Sequence, residues 1–173
     1  MGYSVQFKHI SALKFDQGAI EILRTYSMPR WGWVNLLLSS LLMTLPVTKE
    51  EILETPITFL RLALMFLAAV VACYLIARTL GSETSFNRFL YTTATVNLFS
   101  SSVVMMLTYI SLFVFEWWMN NPTLSDNVAS VLPFYMFVLF GFSVDGAANL
   151  PEKKGILIGA AGICILYTIY YFA

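Results

Sequence analysis

Asp145 stands out among the residues that could do chemistry, because it lies near the end of the apolar stretch VLFGFSVDGAANL at 138–150. A carboxylate at membrane depth is a functional signal, typical of proton relays, ion pathways and intramembrane proteases. A protease of the paired-aspartate type would need a second acid facing the first, and the other apolar stretches contain none. Asp145 alone therefore does not predict such a protease.

The other residue types used in catalysis and metal binding are scarce or badly spaced. His9 is the only histidine of the chain, which excludes a histidine metal cluster, a histidine relay and a Ser–His pair inside the membrane. Cys73 and Cys164 have no CxxC spacing, and we interpret both as small packing residues. Neither GxxxxGKS/T nor GxGxxG occurs. The sequence predicts no catalytic residue, no metal site, no cofactor and no enzyme activity.

The composition indicates which type of secondary structure contains these residues. Of 173 residues, 58% are hydrophobic and 12% are charged, whereas soluble domains carry about 25% charged residues. A helix needs about 20 apolar residues to cross the hydrocarbon of a membrane, and it satisfies its own backbone there. We therefore predict an all-α integral membrane protein, a bundle of five transmembrane helices at roughly 31–48, 57–77, 90–115, 128–146 and 155–173.

The segment 1–30 precedes the predicted transmembrane domain at 31–173. In it, FDQGAIEILRTY places apolar residues at helical spacing, and Asp16 can cap the helix. We interpret the stretch as a short amphipathic helix on the cytoplasmic face, which Pro29 ends before the first span. An equally good interpretation is a lead-in that packs against the bundle.

The basic residues predict the orientation of the spans. With the N-terminus in the cytoplasm, eight of the ten Lys and Arg residues lie on the inner side, and the C-terminus lies outside. We expect the bacterial inner membrane, with an internal eukaryotic membrane as the alternative. No basic cluster is dense enough for nucleic acid. The eight inner residues are Lys8, Lys14, Arg24, Arg30, Arg78, Arg88, Lys153 and Lys154.

Two stripes of small and polar residues predict how the helices pack. The third span repeats them at three- and four-residue steps, and the fifth contains a GxxxG pattern. An alternative for the third span is a solvated path lined by Asn97 and Ser101. The stripes are Ala94, Asn97, Ser101, Val104, Thr108 and Ser111 in the third span, and Gly155, Gly159, Ala160, Gly162 and Cys164 in the fifth.

The turn IARTLGSETSFNRFLYTT at 76–93 resembles that of the Yip family, small five-span membrane proteins named for members that interact with Ypt/Rab GTPases. Gly81, Ser85 and Phe86 match the family's glycine-rich turn, and Arg88 holds its basic position. Leu80 stands where many members have a second glycine, and the third span lacks their proline. The resemblance, to prokaryotic members above all, implies a non-enzymatic protein. A GTPase partner is not supported, because the acidic, tyrosine-containing motif of eukaryotic members is not visible.

These observations predict a membrane protein that acts by binding lipids, other membrane proteins or a second copy of itself, in membrane organisation or a trafficking-like role. We expect Asp145, at the cytoplasmic edge of its span, to pair with Arg78, Arg88 or Lys153. The alternative is a small transporter or channel subunit with a polar path lined by Asn97, Ser101 and Asp145. The predicted contact residues are Arg78, Gly81, Phe86, Arg88, Asp145, Lys153 and Lys154.

Overall fold

The computed structural model describes residues 17–47 and 55–172, and within these ranges the chain is helical and contains no strand. The long helix that begins at Phe86 continues beyond Ser111 as a π-helical segment, Leu112–Trp118, and the N–H of the next residue, Met119, donates to the Val114 carbonyl at 3.0 Å. The six helices are α1 Gln17–Thr25, α2 Pro29–Val47, α3 Thr55–Thr79, α4 Phe86–Ser111, α5 Pro122–Ala148 and α6 Glu152–Phe172.

Within the described residues, four helices are long and apolar enough to cross a membrane: Pro56–Thr79, Phe86–Trp118, Pro122–Ala148 and Glu152–Tyr170. Helices of this length and apolarity indicate an integral membrane protein. The expected first span, 31–48, is also a helix, but α2 is not among the four. Its polar residues Asn35, Ser39, Ser40 and Thr44 are buried against the other helices.

The five long helices form a closed ring in which α2 packs on α4, α4 on α5, α5 on α6, α6 on α3 and α3 on α2. The core between them contains large apolar side chains from α3, α4 and α5, including Phe66, Val70, Phe89 and Phe140. Each long helix thus has two main neighbours, and its remaining surface faces outward.

Helix α1 packs against α4 and α5 at one end of the ring, which we name the α1 end. Ala19, Ile20 and Leu23 are buried there in one cluster with Tyr91 and Leu139. Of the two sequence interpretations, packing against the bundle is thus the observed one, because the apolar face of α1 is covered by protein. Phe15 and Asp16, predicted to begin this helix, lie outside the described residues.

Candidate functional site

An open cavity of about 450 Å³ lies at the α1 end, between α1, the end of α5 and the start of α6. We name it the acidic groove, because three carboxylates and one guanidinium line it. The charges sum to a negative value, so the groove favours cations. Its charged and amide side chains are Gln17, Glu21, Arg24, Asp145, Asn149 and Glu152.

Asp145 lies in the acidic groove on the face of α5 that meets α6. A Cβ atom added to Gly155 would collide with the Oδ1 atom of Asp145, and one added to Gly159 would come within 3.4 Å of the Asp145 Cβ. Glycines at these two positions therefore make the room for the carboxylate beside α6. Asp145 is half-buried.

The predicted ion pairs of Asp145 do not form within the described residues, where Arg24 pairs with Glu21 at 3.7 Å. Arg78 donates instead to the Ser82 carbonyl of its own turn at 3.0 Å. Arg88 and Lys153 are exposed. The prediction was wrong because it used sequence position alone, whereas the side chain of Asp145 is directed toward the glycines of α6.

Arg24 joins α1 to the end of α5. Its Nη1 atom donates a hydrogen bond to the Gly146 carbonyl at 3.1 Å, while Nη2 lies near Glu21. A Cβ atom on Gly146 would collide with Ile20, so α1 approaches the backbone of α5 directly at this point. The Arg24 guanidinium thus holds α1 against α5, and the side chains of Asp145 and Glu152 make no hydrogen bond or ion pair to any other described residue.

The turn between α3 and α4 and the turn between α5 and α6, which contain predicted contact residues, are hydrogen-bonded to each other. The Ser82 Oγ atom donates to the Ala148 carbonyl at 2.6 Å, and the Lys154 Nζ atom donates to the Leu80 carbonyl at 2.8 Å. Each turn contains a residue with positive φ, which lets the chain reverse direction: Gly81 has φ +100° in the first turn, and Asn149, the C-cap of α5, has φ 51° in the second. The two turns are thus joined by hydrogen bonds to backbone carbonyls, whereas we had expected ion pairs between them.

Phe86, another predicted contact residue, packs within the protein. Its ring lies edge-on to Tyr74 with the ring centres 5.2 Å apart, and 6.3 Å from the ring of Trp33. It therefore fixes the start of α4 between α3 and α2. Of the predicted contact residues, Arg88 and Lys153 are the exposed cations whose side chains make no hydrogen bond or ion pair to another described residue.

A second cavity, of about 50 Å³, lies inside the ring, and all five long helices contribute to it. We name it the central cavity. Its polar wall consists of Ser39, Ser40 and Asn97, and its apolar wall includes Phe66, Phe137 and Leu166. Asn97 is 5% exposed, and its Nδ2 atom donates to the Ser39 Oγ atom at 3.1 Å. The Oδ1 atom of Asn97 is buried and has no hydrogen-bond partner.

The predicted stripe of α4 faces the bundle: Ala94, Asn97, Ser101, Val104 and Ser111 are buried, and Thr108 is partly buried. Sequence reasoning missed the partner of this stripe on α2. The Asn35 Nδ2 atom donates to the Thr95 Oγ1 atom at 2.8 Å, beside the Asn97–Ser39 bond. The signal was present in the polar residues of WGWVNLLLSS at 31–40.

The stripe of α6 divides between two faces. Gly155, Gly159 and Gly162 are buried, whereas Ala160 and Cys164 are exposed. A Cβ atom on Gly141 of α5 would lie 2.5 Å from the Gly159 carbonyl, so the two backbones are in contact there. The GxxxG pattern therefore meets a glycine on the facing helix.

The polar path proposed as an alternative from the sequence would join Asn97, Ser101 and Asp145. Asn97 lines the central cavity, Asp145 lines the acidic groove, and Ser101 is buried without lining either cavity. The three residues thus share no cavity. Transport by this chain stays a prediction.

No group of three or more His, Cys, Asp or Glu residues in the described part of the chain could hold a metal ion. His9 lies outside those residues. Comparison of the chain with known protein families, with curated proteins and with solved structures finds no match in any of the three.

Proposed function

We propose that this protein is a non-enzymatic membrane protein of five spans, including α2, with a cytoplasmic N-terminus, and that it acts by binding a membrane-protein or lipid partner. The distribution of Lys and Arg supports this orientation. It puts the α1 end and the two bonded turns at the cytoplasmic surface. A five-span layout with these turns is also what the resemblance to the Yip family implies.

The acidic groove is the observation that carries this proposal. Asp145 and Glu152 line it without an ion-pair partner among the described residues, and Arg24 is already bonded to the backbone of α5. Unpaired carboxylates at a partly desolvated site attract cations more strongly than fully solvated ones do. The groove thus suits an ammonium or guanidinium group.

A partner with such a group is common at this level of a membrane. Cytoplasmic segments next to spans are rich in Lys and Arg, and some lipid headgroups carry an amine. Ile156 on the rim of the groove and Leu157 beside it are 60% and 64% exposed, so a partner can pack on α6 while its cation enters the groove. We infer that a basic segment next to a span of another membrane protein is the preferred occupant.

Photocrosslinking in native membranes tests the proposal. A photoreactive residue at Asn149, in the groove, should give discrete adducts with a protein, and the double substitution Asp145→Asn, Glu152→Gln should reduce their yield several-fold. The matched control is Glu83→Gln, which removes an exposed acid from the neighbouring turn and should leave the adducts unchanged. The same photoreactive residue at Leu64, 56% exposed on α3, measures random collisions.

Two results would count against partner binding at the groove. One is an adduct pattern at Asn149 that equals the pattern at Leu64. The other is a yield that Glu83→Gln lowers as much as the double substitution does. Adducts with lipid alone, lost on the double substitution, would instead identify a headgroup as the occupant.

A further inference from the structure

A third cavity, open and of about 420 Å³, borders the start of α2, where Ser27, Met28, Arg30 and Trp31 line it. We name it the α2 cavity. It lies at the α1 end, because a short turn joins the end of α1 to the start of α2. Among the described residues, its lining contains one cation and no carboxylate. The α2 cavity therefore attracts anions, whereas the acidic groove at the same end favours cations.

Arg30 supplies the positive charge of the α2 cavity. Its side chain is exposed and makes no hydrogen bond or ion pair to another described residue. Three other cations at this end, Arg24, Arg78 and Lys154, donate to backbone carbonyls of the protein. The guanidinium of Arg30 is thus available to an outside anion. A guanidinium suits phosphate above all, because it can donate two parallel N–H groups to two phosphate oxygens.

The outward face of α2 continues from the α2 cavity as an apolar surface. Val34, Leu37 and Leu41 follow Arg30 at steps of four, three and four residues, so the four side chains lie on one face of the helix. All three apolar side chains are exposed. Trp31 lies at the cavity, and tryptophan is enriched at the headgroup level of membranes. The face thus matches a phospholipid, with a cation for the headgroup and an apolar surface for an acyl chain.

We propose that the α2 cavity binds an anionic phospholipid, with the phosphate on the Arg30 guanidinium and an acyl chain along the outward face of α2. The inference rests on the proposed five-span layout, in which α2 crosses the membrane. A zwitterionic lipid fits less well, because its ammonium group would find no carboxylate in the lining described above. In the proposed orientation the α1 end meets the cytoplasmic leaflet, whose lipids carry the negative surface charge.

Native mass spectrometry of the full chain in detergent tests the site, with phosphatidylglycerol and phosphatidylcholine of identical acyl chains as probes. We expect the first phosphatidylglycerol to bind several-fold more tightly than the first phosphatidylcholine. Arg30→Gln should weaken the binding of phosphatidylglycerol about fivefold, the effect of one basic residue near an anionic surface, and should remove most of the preference. Arg30→Lys keeps the charge and should keep the preference.

The matched control is Lys153→Gln, which removes an exposed cation at the same end from α6, a helix that is not a neighbour of α2 in the ring. It should leave the affinity for phosphatidylglycerol unchanged. Glycerophosphoglycerol, the headgroup without acyl chains, should not displace the lipid at equal concentration, because it lacks the part that packs on α2.

Three results would overturn the proposal. The first is equal affinity of the original protein for the two lipids. The second is a loss on Lys153→Gln as large as that on Arg30→Gln, which would reduce the effect to general surface charge. The third is displacement by the headgroup alone, which would mean that the outward face of α2 contributes nothing. Photocrosslinking at Asn149 reports on the acidic groove separately, so the two proposals can fail independently.

Discussion

The α2–α4 interface and the α5–α6 interface hold the same ring together by different contacts. Between α2 and α4, buried amides and hydroxyls bond across the helices, from Asn35 to Thr95 and from Asn97 to Ser39. Between α5 and α6, glycines let the backbones touch, with Gly141 against Gly159. Lipid offers no hydrophobic drive for helix association, so hydrogen bonds and close packing are the available stabilising contacts.

The difference indicates which of the two interfaces tolerates substitutions better. A hydrogen bond between helices in a membrane contributes about 0.6 kcal/mol on average, because the separated helices find other partners. A backbone-to-backbone contact has no flexible side chain that can move aside. We therefore expect the α5–α6 interface to be the more sensitive of the two to single substitutions.

Gly141→Ala should have the largest effect. Its new Cβ atom would lie 2.5 Å from the Gly159 carbonyl oxygen, so the helices must separate, and overpacking of this kind costs about 1–3 kcal/mol. Gly162→Ala is the matched control, since its nearest contacts of 3.4–3.5 Å are ordinary ones. Both variants share the gain in helix propensity. Unfolding in SDS mixed micelles measures the difference, and equal stabilities would refute the comparison.

A double-mutant cycle on Asn35→Leu and Thr95→Val should give a smaller effect, a coupling free energy of about 0.6 kcal/mol and no more than about 1.7 kcal/mol. The same unfolding titration measures it. Asn35→Leu combined with Thr92→Val is the control cycle, because Thr92 donates to the Arg88 carbonyl and not to Asn35. A coupling above that of a single hydrogen bond would show that the α2–α4 interface is the stronger one.

Asp145→Asn should have the smallest effect on stability, below about 0.5 kcal/mol, because Asp145 makes no salt bridge to another described residue. The amide has nearly the same shape, so the packing against Gly155 is kept. Unfolding at low and high salt checks this. A loss above 1 kcal/mol that shrinks at high salt would restore the ion pair that we expected from the sequence.

The helices were largely predictable, because a backbone in hydrocarbon must satisfy its own hydrogen bonds and long apolar stretches have few other options. The stretch at 128–146 lies within α5, and 57–77 lies within α3. The third helix runs further than 90–115, since its π-helical end includes Glu116 and two exposed tryptophans that apolarity alone does not assign to a helix.

The candidate site was less predictable, because it depends on directions across the bundle. Asp145 was found from the sequence, but Glu21 and Arg24, which line the groove with it, come from α1, far away in the chain. The amphipathic pattern of α1 has the same form whether lipid or protein covers its apolar face. Contacts with α4 and α5 decide in favour of protein.

The sequence alone predicts the class of protein, the approximate positions of the helices and the helix faces rich in small residues. These features depend on length, apolarity and periodicity, which are local properties of the chain. Only the tertiary structure decided which residues meet. It put Asn97 in the central cavity, Asp145 against Gly155, and Ser82 and Lys154 on the carbonyls of the opposite turn. Those contacts depend on the rotation and crossing of each helix, which are set by packing against all of its neighbours at once.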